Sequence, residues 1–141
     1  MRAVRALLKN TDAPWSLHPQ ESVFDALQTL ANHAVGALMV MEEGRLVGIL
    51  SERDYTRKIA LAGKASKDTR VADIMTAKVL TVAADSRTED CMALMSQKKI
   101  RHLPVVDGDK VLGMISIRDI MDEIIADQEA TINQLQTYIV S

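Results

Sequence analysis

The chain has few of the residues on which many functional classes depend. Its 141 residues include one cysteine (Cys91) and four aromatic side chains, Trp15, Phe24, Tyr55 and Tyr138. A single cysteine makes neither an internal disulfide nor a cysteine-rich metal site, and the three histidines share no metal-ligand spacing. So few aromatic residues argue against a surface that stacks single-stranded bases. We therefore expect no metal site, and a reducing cytoplasm as the compartment.

Excess basic charge and long apolar runs are also missing. The formal net charge is −2, which argues against general nucleic-acid binding because that needs a basic face. No apolar run approaches the roughly 18 residues of a membrane span, and the start, MRAVRALLKN, is too short and too charged for a signal peptide. With 48% apolar and 26% charged residues, the composition is that of a globular protein. From the charge and the short apolar runs we expect neither a nucleic-acid partner nor contact with a membrane.

What the chain does contain is an internal repeat. The stretch GILSERD, residues 48–54, returns as GMISIRD, residues 113–119. With a shift of 65 residues, positions 15–59 show eight identical pairs: Asp25/Asp90, Leu38/Leu103, Val40/Val105, Gly48/Gly113, Ser51/Ser116, Arg53/Arg118, Asp54/Asp119 and Ile59/Ile124. Each half, at roughly 60 residues, would bury a marginal core alone. The repeat therefore predicts a duplicated unit folded into one pseudosymmetric body.

Both copies predict the same order of elements: strand, helix, strand, strand, helix. The first helix of each copy would be capped at Ser22 and at Ser86. Glu43-Gly44 and Asp107-Gly108, each between two apolar runs, predict hairpin turns. We therefore expect an α+β fold made of two such units.

The repeated Gly-x-x-Ser-x-x-Asp motif falls where a strand passes into a helix. Helix capping explains the serine and the acid, and glycine can relieve crowding inside a strand. A functional interpretation is that the free N–H groups of a helix start attract phosphate, while the carboxylate accepts hydrogen bonds from both ribose hydroxyls. Capping alone would tolerate other residues at both positions. Finding serine twice and aspartate twice, with an arginine before each aspartate, favours the functional interpretation.

With these residues the chain resembles a tandem pair of CBS domains (named for cystathionine β-synthase), the arrangement called a Bateman module. The other marks are the stretch RHLPVV at residues 101–106 and the order of elements. The short length, the SERDY segment at residues 51–55 and the C-terminal helix look like those of small bacterial stand-alone proteins. The resemblance implies a first CBS unit at 10–62, a linker at 63–72, a second CBS unit at 73–126 and a C-terminal helix at 127–141.

The resemblance implies a regulatory module, not an enzyme, that senses energy or redox state and passes a conformational change to an unknown protein target. Members bind AMP, ADP, ATP, NAD or S-adenosylmethionine in two clefts between paired sheets, and no cofactor is required. The alternative is a structural scaffold that dimerises or docks on a partner, with its clefts empty. The predicted ligand-binding residues are Leu38, Ser51, Arg53, Asp54, Arg57, Lys58, Val82, Arg101, His102, Val105, Ser116, Arg118 and Asp119. Arg53, Arg57, Lys58 and Arg118 are included because they lie beside the two motifs, and the others because the resemblance implies them.

Within that set, Asp54 and Asp119 would each hold a ribose through its 2′- and 3′-hydroxyls. The two serines would contact the ribose or the α-phosphate, the basic pair Arg101-His102 would face the phosphates, and the three apolar residues would contact adenine. No catalytic residue is expected, since the chain shows no spacing typical of a nucleophilic triad.

The helices that follow the two motifs differ in charge. Arg57 and Lys58 in the first copy align with Asp122 and Glu123 in the second. This difference predicts that polyphosphate ligands favour the cleft at Asp54, unless the two cations are merely solvated surface residues.

The end of the chain predicts a helix with an apolar seam. Its members are Met121, Ile125, Gln128, Ile132, Leu135 and Ile139, at alternating spacings of 4 and 3. Such a seam either packs back on its own unit or pairs with a second chain, and we expect a homodimer.

Overall fold

The computed structural model describes residues 2–8 and 15–140, and the chain divides into two compact units. The first unit is Ala13–Leu80, and the second unit is Thr81–Ser141 together with the N-terminal segment Met1–Asp12. The predicted start of the first repeat, at residue 10, lies outside the described residues.

Each unit contains a three-stranded sheet and its helices. The first unit is built from β1 (Ser16–Leu17), α1 (Val23–His33), β2 (Ala37–Glu42), β3 (Arg45–Ser51), α2 (Glu52–Tyr55), which continues as a π-helical turn over Thr56–Ala60, and α3 (Val71–Ile74). The second unit is built from a 3-10 turn (Val4–Leu7), β4 (Val82–Ala83), α4 (Thr88–Lys98), β5 (His102–Asp107), β6 (Lys110–Ser116) and α5 (Ile117–Val140). The predicted order of elements is confirmed in both units.

The two sheets have the same topology. The short strand β1 pairs parallel with β2, which pairs antiparallel with β3; β4, β5 and β6 pair in the same way. The register sets Val40 opposite Gly48 and Val105 opposite Gly113, and each hairpin shifts register directly after that valine. The repeat in the sequence is therefore a repeat in backbone geometry down to single residue pairs.

Each unit has a core of its own. In the first unit, α1 buries Val23, Ala26 and Leu30 against the sheet. In the second, α4 buries Cys91 and Met95 in the corresponding place. Cys91 is 1% exposed, and burial raises the pKa of its thiol, as expected for a small core residue.

The two helix caps turn out differently. Ser22 caps α1 as predicted, because its hydroxyl accepts a hydrogen bond from the backbone N–H of Asp25 at 3.1 Å. The predicted cap at Ser86 is wrong: α4 begins at Thr88, and Arg87 holds the cap position without a side-chain bond. Ser86 therefore lies one residue before the cap. Its carbonyl accepts a hydrogen bond from the N–H of Val4 at 2.8 Å.

Two short segments complete the units in parallel ways. In the first unit α3 follows Arg70, which bridges to Ser22, and Val71 is fully buried. In the second unit the 3-10 turn follows Ala3, which bridges to Arg87, and Val4 is fully buried. The start of α3, Val71, falls within the predicted linker of residues 63–72. The boundaries of that linker stay a prediction.

These segments explain the two motif glycines. A Cβ atom at Gly48 would lie 2.6 Å from the sulfur of Met75 and 3.1 Å from the carbonyl oxygen of Thr76. A Cβ at Gly113 would lie 3.0 Å from a methyl carbon of Leu8. The glycines therefore serve the close approach of each segment to its sheet, as the crowding interpretation holds.

Among the described residues no helix is both long enough and apolar enough to cross a membrane.

Candidate functional site

The first Ser-x-x-Asp motif is a reciprocal cap at the start of α2. The backbone N–H of Asp54 donates to the hydroxyl of Ser51 at 3.1 Å, and the backbone N–H of Ser51 donates to Oδ2 of Asp54 at 3.0 Å. The Ser51 hydroxyl also lies 3.1 Å from the same Oδ2. One carboxylate oxygen is thus committed to holding the helix start.

The other oxygen of Asp54 faces two residues from further along the chain. Thr76 donates its hydroxyl to Oδ1 at 3.3 Å, and the ammonium of Lys58 lies 3.3 Å from the same atom. Lys58 also donates to the carbonyl of Ile74 at 2.8 Å. Both contacts to Oδ1 are long for charge-assisted hydrogen bonds, although the Asp54 side chain is only 13% exposed.

The second motif repeats the cap. The N–H of Ser116 donates to Oδ2 of Asp119 at 2.8 Å, and the N–H of Asp119 donates to the Ser116 hydroxyl at 3.2 Å. Asp119 is half-buried, as Asp54 is. The repeat thus places two carboxylates in the same local geometry, one in each unit.

The surroundings of the second motif carry an ion pair that has no counterpart in the first. Glu123, the repeat partner of Lys58, is 6% exposed and accepts two hydrogen bonds from Arg2, at 2.6 Å from Nε and 2.5 Å from Nη2. The hydrogen bond from Arg2 lowers the pKa of Glu123, and burial opposes it only in part. The negative charge of Glu123, which the repeat alignment predicts to lie near Asp119, is therefore neutralised by Arg2 of the N-terminal segment.

A surface cavity opens beside this ion pair. Its volume is 290 Å³. Its lining residues are Arg2, Ala6, Leu7, Asp119, Asp122 and Glu123. Asp119 thus lines a cavity together with one basic side chain, Arg2, and two further acidic side chains, Asp122 and Glu123.

The predicted basic residues divide into two groups. Arg53, Arg118 and Arg57 are exposed, the first two in the first turns of their helices. Arg101 and His102 lie at the start of β5, where His102 is in register with Ser116 and the carbonyl of Arg101 accepts from the N–H of Ile117 at 2.8 Å. The second unit thus brings its basic pair next to its own motif.

The predicted adenine contacts are mostly buried. Leu38 is 4% exposed and Val105 is fully buried, both within the cores of their own units. Val82 is half-buried and packs at the edge of the second core. Contact of these residues with adenine stays a prediction, and Val82 is the most accessible of the three.

Two residues at the motifs escaped the sequence-based prediction, Thr76 and Arg2. A signal for the segments that carry them exists, because a shift of 67 rather than 65 aligns Val4 with Val71, Leu7 with Ile74 and Leu8 with Met75. Nothing in the sequence pairs Arg2 with Glu123, which lies 121 residues away.

Among residues 2–8 and 15–140, no group of three or more histidine, cysteine, aspartate or glutamate side chains is placed to hold a metal ion.

A family model described as the CBS domain matches residues 4–61 and 71–126. The chain belongs to the CBS-domain family. The resemblance read from the two motifs is therefore confirmed, and so is the α+β fold of a CBS pair.

Individual relatives agree with this assignment. A mitochondrial CBS domain-containing protein of Arabidopsis thaliana is 37% identical over 137 residues, which are 93% of this chain and 66% of the plant protein. This chain therefore spans slightly less than two thirds of that relative. A protein with CBS domains from Burkholderia ambifaria superposes with a TM-score of 0.84 and 42% identity, over 89% of this chain and 96% of that one.

One similar structure contains ligands. It is a CBS domain pair in complex with 5′-methylthioadenosine and S-adenosyl-L-methionine, with a TM-score of 0.78 and 28% identity over 89% of this chain and 97% of that chain. Both ligands of that CBS pair carry an adenosine group.

Proposed function

We propose that this CBS-domain protein is a regulatory module that binds an adenosine nucleotide of the AMP, ATP or NAD type. In this proposal the module senses energy or redox state and signals to a protein target by a conformational change, without catalysing a reaction. The observation that carries the proposal is the Ser-x-x-Asp cap, built twice with the same geometry. The adenosine ligands of a similar CBS pair support it.

The cap explains how one carboxylate can serve both stability and binding. Oδ2 of Asp54 stays with Ser51, while Oδ1 has only the two 3.3 Å contacts from Thr76 and Lys58 among those described. Ribose hydroxyls can replace these long contacts with shorter charge-assisted hydrogen bonds. Ligand binding then leaves the start of α2 intact, and we assign the same roles to the two oxygens of Asp119.

This division of roles is tested by two substitutions at one position. Asp54→Asn keeps an oxygen that accepts from Ser51 but turns an amide donor toward the ribose. Asp54→Ala removes both roles. Because two hydroxyl–carboxylate bonds are each worth about 1.5–3 kcal/mol, both variants should lose roughly a hundredfold in nucleotide affinity at this site, measured by calorimetry.

Thermal unfolding separates the variants. Loss of a helix cap costs about 1 kcal/mol, so Asp54→Ala should melt below the wild type while Asp54→Asn stays close to it. If Asp54→Asn bound nucleotide as tightly as the wild type, the motif would be a cap and nothing more.

The identity of the ligand is settled by a thermal-shift panel of AMP, ATP, NAD and S-adenosylmethionine. A ligand that binds the native state raises the melting temperature by mass action. A panel without any shift at millimolar ligand would favour the alternative, a scaffold with empty clefts, which the exposed apolar seam of α5 supports.

The same seam supports a homodimer. A cytoplasmic location stays a prediction, since a 37% identical relative carries a mitochondrial name.

A further inference from the structure

The helix α5 has a face that packs on its own unit and stops early. Ile120 is fully buried, and Ile117 and Ile124 pack at the edge of the second core. From residue 128 to residue 140 every residue is exposed. The positions that would continue the packed face at helical spacing are Asp127, Thr131 and Gln134. Asp127 is still half-buried, whereas Thr131 and Gln134 are exposed, so the contact of α5 with its own unit ends at Asp127.

A second face of α5, between Met121 and Ile139, is apolar at every position but one. The seam consists of Met121, Ile125, Gln128, Ile132, Leu135 and Ile139. Its five apolar members are 48–79% exposed. An isolated helix of about 12–15 residues is marginal in water, so the exposed part of α5 needs a partner for this face.

We propose that the seam forms a parallel two-stranded coiled coil with α5 of a second copy of this chain. The spacing assigns Ile125, Ile132 and Ile139 to heptad position a, and Met121, Gln128 and Leu135 to position d. Isoleucine at a with leucine at d favours two parallel strands; all three a positions here are isoleucine, and Leu135 is the leucine among the d positions. Gln128 is the one polar member of the seam, and in register it meets its own counterpart, so the two amides can hydrogen-bond to each other.

The charges beside the seam fit the parallel arrangement. Positions g of one helix face positions e of the other, which sets Ile124 opposite Glu129 of the second copy and Thr131 opposite Gln136. No like charges meet. In an antiparallel pair, positions e of the two helices face each other. The acids Asp122 and Glu129 would then lie near the same acids of the second copy, and like charges would meet.

The size of the seam predicts the strength of the pairing. Residues 121–139 span about 27 Å of helix, so the interface falls in the range below roughly 1,200 Å² of total buried area, where weak associations lie. We therefore expect a micromolar dimer that is populated at tens of micromolar protein. This pairing does not depend on nucleotide binding.

Sedimentation of the full chain tests the seam. The double variant Ile132→Asp/Leu135→Asp places four carboxylates in the paired seam and should shift the dissociation constant at least a hundredfold toward monomer. The matched control Ala130→Asp/Gln134→Asp carries the same charges on the opposite side of α5 and should sediment as the wild type. A wild-type monomer at tens of micromolar would overturn the proposal, as would a dimer that survives the seam variant, because its interface would then lie elsewhere.

Cysteine cross-linking tests the direction of the pairing. In a Cys91→Ala background, which copies the repeat partner Ala26, Gln128→Cys and Leu135→Cys are oxidised separately. In-register d positions lie within the Cα separation of about 4.4–6.8 Å that a disulfide needs. Both variants should therefore form cross-linked dimers, whereas Gln134→Cys should not. Cross-linking at one position alone indicates an antiparallel pair, and at neither position indicates no coiled coil; both results contradict the proposal.

Discussion

The two units share the cap that holds each aspartate and differ in the charge beside it. In the first unit Lys58 lies 3.3 Å from Asp54. In the second unit the same repeat position is Glu123, and its carboxylate is bound by Arg2. The duplication has kept the backbone geometry, whereas the charges have diverged and one of them is balanced from the other end of the chain.

This comparison changes how the difference in charge is counted. From the sequence alone, two cations beside Asp54 stand against two anions beside Asp119. In the structure Lys58 is paired with Asp54, and Glu123 is paired with Arg2. The difference in charge that remains is at one repeat position, which is the exposed Arg57 in the first unit and the exposed Asp122 in the second.

The largest effect we expect is a difference between the two sites in ATP affinity. Asp54→Ala should abolish the tighter ATP-binding event, while Asp119→Ala leaves it nearly intact. One unit charge at about 6 Å is worth roughly 3 kcal/mol at an effective dielectric near 20, before solvent screening, which is enough for up to about a hundredfold preference for ATP at the Asp54 site.

Calorimetry of both variants with ATP and with AMP measures this preference, and AMP serves as the control with fewer charges. Equal losses from the two variants, or the reverse order, would contradict the difference in charge.

The second comparison concerns the motif glycines. Gly48→Ala should destabilise the protein by about 1–3 kcal/mol, as overpacking does, because the new methyl group meets the Met75 sulfur and the backbone of Thr76. Gly113→Ala should cost less, since it meets only the flexible end of Leu8. Urea unfolding of the two variants gives the ranking, and a larger loss at Gly113 would show that Leu8 is held more rigidly than Met75.

The third comparison uses pH to isolate the ion pair of the second unit. The folded-state pKa of Glu123 is lowered by Arg2, so the pair stabilises the protein above the unfolded value of about 4.3 and is lost as the pH falls through the folded value. Glu123→Gln should therefore lower Tm by a few degrees at pH 7, and this difference should vanish in acid.

Asp122→Asn, on an exposed neighbour, is the control and should shift Tm little at any pH. A Glu123→Gln effect that is independent of pH would show that packing, not charge, is what Glu123 contributes.

The smallest effect is expected at Lys58. Its ammonium pairs with Asp54 four residues earlier, the Lys58 side chain is 45% exposed, and solvent-accessible pairs at this spacing contribute about 0.3–0.5 kcal/mol. Lys58→Met keeps the aliphatic stem and should lose no more than this in urea unfolding, with the difference reduced at high salt. A loss well above 1 kcal/mol would mean that the hydrogen bond to Ile74 holds α3 in place.

The sequence predicted most of the fold because its signals are local. Alternating apolar residues around Asp107-Gly108 are enough to predict a hairpin, and the repeat supplies the same information twice. The cap at Ser22 was predicted in the same way. The failure at Ser86 has a non-local cause, since the pairing of Ser86 with Val4 depends on a segment more than 80 residues away.

The site was predicted in part for the same reason. Ser51 and Asp54 are three residues apart, so their capping geometry follows from the sequence. Which carboxylate oxygen is committed to the cap, and which faces Thr76, depends on how α3 packs, and no local pattern encodes it. The pairing of Arg2 with Glu123 is likewise a tertiary contact.

The measurement that tests the central claim most directly is a calorimetric titration of the wild-type protein with ATP and with 2′,3′-dideoxy-ATP. The two ligands share base and phosphates, so they differ only in the hydroxyls that Asp54 and Asp119 are proposed to hold. We predict that ATP binds and that the dideoxy analogue binds roughly a hundredfold more weakly, because two charge-assisted hydrogen bonds are lost. Equal affinities for the two ligands, or no binding of ATP at millimolar concentration, would contradict the account.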